Sequence, residues 1–73
     1  MDKQLYLALK NKYESAIQEQ KYNLKVWLDR PTIIPEHMNA VEEFDTAIQA
    51  IADFQERLTT LEDLYNETST RTH

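Results

Sequence analysis

The sequence predicts an all-α fold: an antiparallel helical hairpin that dimerises into a four-helix bundle. Three observations carry that expectation. Apolar residues recur at spacings of three and four over two long stretches, a single proline-bounded break separates them, and none of the 73 residues is glycine. Hairpin turns, bulges and phosphate-cradling loops draw on glycine for positive φ, so sheet-rich and Gly-loop nucleotide folds are disfavoured.

The first stretch places Tyr6, Leu9, Tyr13, Ile17, Leu24, Trp27 and Leu28 on one stripe, completed by Ala16 and Gln20. This predicts an amphipathic helix over 2–29. Pro31 ends it, because proline disfavours the α conformation at Arg30 and donates no backbone hydrogen bond. Residues 30–34 form the predicted loop. Pro35 suits the first turn of a second helix, Glu36 lies near its positive end, and Ile33 can staple onto Met38.

The second stripe runs Met38, Val41, Phe44, Ile48, Ile51, Leu58, Leu61 and Tyr65, with Gln55 in the seam, and predicts a helix over 35–67. The repeat is nearer 3.5 than 3.6 residues, which implies a left-handed, coiled-coil-like crossing. Residues 68–73 contain no apolar side chain and are expected to be a disordered tail. So short a connection makes the helices antiparallel neighbours, with Trp27 near His37, Leu24 near Val41, Ile17 near Ile48 and Tyr6 near Leu58. The expected core is therefore Tyr13, Ile17, Leu24, Trp27, Val41, Phe44, Ile48, Ile51 and Leu58.

One seam between two helices leaves Leu7, Tyr22, Val26, Phe54 and Leu64 off the stripes. They call for either a second pair of helices or a protein partner, and a two-fold homodimer is the commonest closed assembly that supplies the former. Gln20 and Gln55 read as seam amides that fix register at some cost in stability. Tyr22, Val26 and Leu7 are the candidates for an exposed partner site.

Charge divides the chain unequally. Residues 1–30 hold 6 bases and 4 acids, whereas residues 31–73 hold 2 bases and 9 acids. Lys3, Lys10, Lys21 and Lys25 fall on one strip of the first helix, and Glu42, Asp45, Asp53, Glu56 and Asp63 on a strip of the second. Strips beside apolar seams set pairing, as e and g charges do in coiled coils. The candidate interaction surface is thus Lys10, Lys21, Lys25, Tyr22, Val26, Glu42, Asp45 and Asp53. A net charge of −5 opposes nonspecific binding to phosphate backbones.

Catalytic chemistry has no evident seat. With no cysteine there is no thiolate nucleophile and no thiolate zinc site. Glu36 and His37 are adjacent and point about 100° apart, so they do not make the Glu-x-x-His pair of a di-iron bundle. Glu42 and Glu43 point to different faces. No enzyme, cofactor or metal is expected. The opening residues mix charge into apolar sequence too early for a secretory core, and no apolar run reaches a bilayer's span, so the expected setting is cytoplasmic.

Two resemblances sharpen the expectation. Met1, Lys3, Gln4, Ala8 and Leu9 resemble the start of Rop, a family of small acidic RNA-binding proteins that are antiparallel dimers of helical hairpins. That resemblance implies the architecture, and RNA contact on paired first helices through Lys3, Gln18 and Lys25. The chain differs from that family in its Pro31–Pro35 loop and in Glu14, where the family places an aromatic. Lys12-Tyr13-Glu14, Ile34-Pro35-Glu36-His37 and Val41-Glu42, with Asp45, Ile51-Ala52, Leu58 and Leu61, resemble small helical-hairpin proteins of T4-like marine phages. This second resemblance spans residues 10–62 and implies a viral setting, in which the protein would act in the host cytoplasm. The expected function is a non-enzymatic structural or protein-interaction module. The alternatives are an acidic inhibitor of a nucleic-acid-binding protein and a Rop-like RNA-binding dimer using the lysine strip.

Overall fold

The computed structural model describes residues 1–29 and 37–71, without the side chains of 27, 37–39 and 69–71. It consists of two helices, α1 (Lys3–Leu28) and α2 (His37–Arg71), packed against each other as the expected all-α hairpin. Expectations resting on 30–36, on the side chains of Trp27, His37 and Met38, or on Thr72 and His73 lie outside the described residues.

Asp2 is the N-cap of α1. Its Oδ2 accepts from the Leu5 amide at 3.2 Å, and its carbonyl accepts from the Tyr6 amide at 3.0 Å. A cap of this kind satisfies donors that the first helical turn leaves unpaired and places a carboxylate at the positive end of the helix. At the other end the Asp29 amide donates to the Lys25 carbonyl at 2.9 Å, closing the last turn.

α2 continues past its expected end at Glu67 to Arg71. Thr68 lies on the packed face of this extension. Its hydroxyl donates to the carbonyls of Leu64 at 3.1 Å and Tyr65 at 2.9 Å, and the side chain is half-buried, so a polar residue continues the packed face.

The seam of α1 is the expected one: Ile17 is buried, and Tyr6, Leu9, Tyr13, Ala16, Gln20 and Leu24 are half-buried. Leu28 is not part of it, at 67% exposure. The seam of α2 differs from the expected stripe. It is formed by Ala40, Phe44, Ala47, Ile51, Phe54, Leu58, Leu61, Tyr65 and Thr68, a strict alternation of fours and threes in which Ala47 and Leu61 are buried. Val41 and Ile48, expected in the core, are 70% and 56% exposed, and Gln55 is exposed as well.

The physical reason lies further along the helix. Extending 41, 44, 48, 51, 55 and 58 by the same heptad would seat Glu62 in the seam and desolvate both its carboxylate and the Gln55 amide. Rotating the helix by about half a residue position keeps Phe44, Ile51, Leu58, Leu61 and Tyr65 of the expected stripe and puts Ala40, Ala47 and Phe54 in place of Val41, Ile48 and Gln55.

Register changes with it. Tyr6 stacks on Tyr65, ring centroids 4.1 Å apart and planes 13° from parallel, where Leu58 was expected opposite. Tyr13 meets Phe54 at 6.1 Å. Phe54, expected off the stripe, is therefore a seam residue.

The result is a rod of 59 × 16 × 12 Å. Its radius of gyration is 16.9 Å, against about 11 Å for a compact chain of this length. Among the described residues only Ile17, Ala47 and Leu61 are buried hydrophobics.

Candidate interaction surface

In an antiparallel helix pair, the positions flanking the seam on one helix share a side with the equivalent positions of the other. One flank is marked by two shallow grooves. Leu9, Tyr13, Arg57, Leu61 and Leu64 line a groove of about 260 Å³ together with Met1, and Gln20, Asn23, Leu24, Glu43, Thr46 and Ala47 line another of about 290 Å³. This side is largely polar near the end of α1. Arg57 sits 5.1 Å over the Phe54 ring and pairs with Asp53 at 3.0 Å.

The opposite flank carries Leu7, Glu14, Lys21 and Leu28 on α1, and Val41, Ile48, Gln55 and Glu62 on α2. These positions follow from the two observed seams, each lying one residue beyond a seam position at heptad intervals. Exposure confirms that the flank is open: Leu28 is 67%, Val41 70% and Ile48 56% exposed. Three of its four apolar residues, Leu28, Val41 and Ile48, lie where α1 ends and α2 begins, and toward the termini Gln55 and Glu62 leave Leu7, 41% exposed, as the fourth.

The residues expected to form an interaction surface do not converge on one site. Lys10 is half-buried, with its ammonium 5.9 Å from the Tyr6 ring centroid, where the alkyl stem covers the edge of the aromatic pair. Lys21 and Lys25 are exposed, as are Glu42, Asp45 and Asp53. Tyr22 is 66% exposed, as expected of a partner-site candidate, while Val26 is half-buried. Among the described residues the one ion pair is Arg57 with Asp53, within α2, so no ion pair joins the two charged strips inside the chain.

Residues that the sequence reading placed in the core thus prove to be surface. The signal that could have found them was present: among strict heptad registers of α2, only 40, 44, 47, 51, 54, 58, 61, 65 keeps every charged residue out of the seam.

No protein-family model, no curated protein and no solved structure matches the chain. Among the described residues no cluster of three or more His, Cys, Asp or Glu side chains could hold a metal ion, and no helix is long and apolar enough to cross a membrane.

Proposed function

We propose that the chain is a non-enzymatic interaction module that acts as a homodimer, two hairpins closing into a four-helix bundle. One observation carries this reading: among the described residues three hydrophobics are buried, while eight large ones, Met1, Leu5, Leu7, Tyr22, Leu28, Val41, Ile48 and Leu64, are at least 41% exposed. Apolar surface in that proportion is what a helix pair presents before a second pair covers it. The resemblance to phage hairpin proteins supports an accessory role in a phage.

Light scattering coupled to size exclusion across a dilution series, with helicity followed by circular dichroism, tests the proposal. A mass of two chains that persists with full helicity at micromolar concentration supports it. A chain that runs as a monomer at every concentration overturns it.

A further inference from the structure

Resting on the homodimer reading, we propose that the second copy docks on the flank bearing Leu28, Val41 and Ile48 with the α1–α2 junctions of both chains at the same end, so that α1 of each hairpin packs on α2 of the other. Two hairpins stacked face to face about a two-fold axis have two arrangements. In the same-end arrangement α1 lies over the partner's α2. In the opposite-end arrangement α1 lies over the partner's α1, and α2 over the partner's α2.

The distribution of apolar side chains separates them. Leu28, Val41 and Ile48 are all more than half exposed and all lie at the junction end of the flank. Same-end docking brings both triplets together in one apolar cluster. Opposite-end docking lays each triplet over the terminal half of the other chain's flank, with Ile48 level with the partner's Glu62. That contact sets an isoleucine side chain against a carboxylate, which desolvates the charge for no apolar gain.

Charge separates them in the same direction. The first 30 residues carry 6 bases and 4 acids, the remainder 2 bases and 9 acids. Same-end docking makes every neighbouring helix pair a basic–acidic one. It sets Lys10 level with the partner's Glu62, and each acidic α2 lies between two basic α1 helices. Opposite-end docking makes two like-charged pairs. The midpoint of α1 falls between Ser15 and Ala16, so in that arrangement Lys10 would lie level with the partner's Lys21, twice per dimer.

The area is also suitable. A face of 59 by 16 Å is of the size that each partner contributes to a standard interface, roughly 800 Å². With two α1 helices on opposite corners of the bundle, no surface formed by paired first helices exists in this dimer.

The chain has no cysteine, so single spin labels can be placed cleanly. Asp29→Cys labels an exposed site at the junction end, and Ser15→Cys an exposed site near the middle of α1. Same-end docking predicts a distance across the bundle diagonal for both labels, about 20–25 Å with helix axes roughly 8–10 Å apart. Opposite-end docking predicts a short distance for Ser15→Cys and about 40 Å or more for Asp29→Cys, given about 1.5 Å of rise per residue. A distance of about 20–25 Å at both sites supports the proposal, and a short one at Ser15→Cys with a long one at Asp29→Cys overturns it while leaving the homodimer intact. Absence of any intermolecular distance at both sites refutes the homodimer itself.

Discussion

The terminal half of the hairpin and the half next to the α1–α2 junction share one seam and distribute their bulk in opposite ways. Toward the termini the large side chains are in the seam: Tyr6 stacks on Tyr65 at 4.1 Å, Tyr13 meets Phe54, and Leu61 is buried. The flank there is polar at Gln55 and Glu62, with Leu7, 41% exposed, its one apolar residue. Toward the junction the seam is built partly of small or polar groups, Ala40, Ala47 and Gln20, and the bulk of Leu28, Val41 and Ile48 is turned outward. Two helices can complete a core where aromatic side chains bridge the gap between them. Where alanines hold the seam, the axes come closer, and the larger residues are left beside the interface for another surface to cover.

The largest effect that tests this contrast is expected from paired carboxylates. Ile17→Asp puts a charge at a position 6% exposed and should abolish the helical signal at every protein concentration. Ile48→Asp, at 56% exposure, should instead shift the chain toward monomer, with helicity recovering as concentration is raised. Circular dichroism over a concentration series distinguishes the two, and equal behaviour of the variants would erase the distinction between seam and flank.

Next in size is truncation in the terminal half. Leu61→Ala should cost about 2–5 kcal/mol in chemical denaturation, because the side chain is 5% exposed and its removal leaves a cavity. Leu64→Ala, one turn away on the groove side at 47% exposure, should cost well under half of that.

Enlarging the alanine seam is expected to do less. Ala47→Leu forces the helices apart at the junction end, a destabilisation of about 1–3 kcal/mol read as a lowered denaturation midpoint. A variant as stable as the parent would show that this half is loosely packed. The smallest effect should come from Asp53→Asn. Its ion pair with Arg57 spans one helical turn with both side chains about half exposed, so the loss should stay within about 0.5 kcal/mol.

Much of this was legible beforehand in particular residues. Pro31 and the flanking stripes implied two antiparallel helices. In α1 the expected stripe from Tyr6 to Leu24 is the observed seam, because the large apolar side chains fall on one face, with Lys10 half-buried beside them. α2 was ambiguous. Phe44, Ile51 and Leu58 belong to two overlapping heptads, and counting large apolar residues favours Val41 and Ile48 over Ala40 and Ala47. Small residues carry little weight in a hydrophobic pattern, yet they are what close helix approach requires. The candidate surface was harder to read for the same reason: an exposed isoleucine and a buried one look alike in sequence.

The sequence by itself determined that the chain is helical and where the first helix ends, since Pro31 and the absence of glycine act locally. It also determined the opposite charge of the two halves. Only the tertiary structure decided which of two overlapping stripes on α2 is buried, which residues stand opposite one another, and hence that Val41 and Ile48 face outward. Register depends on the whole length of two helices at once. The penalty for burying Glu62 near one end settles the fate of Ile48 near the other, and no local window contains both.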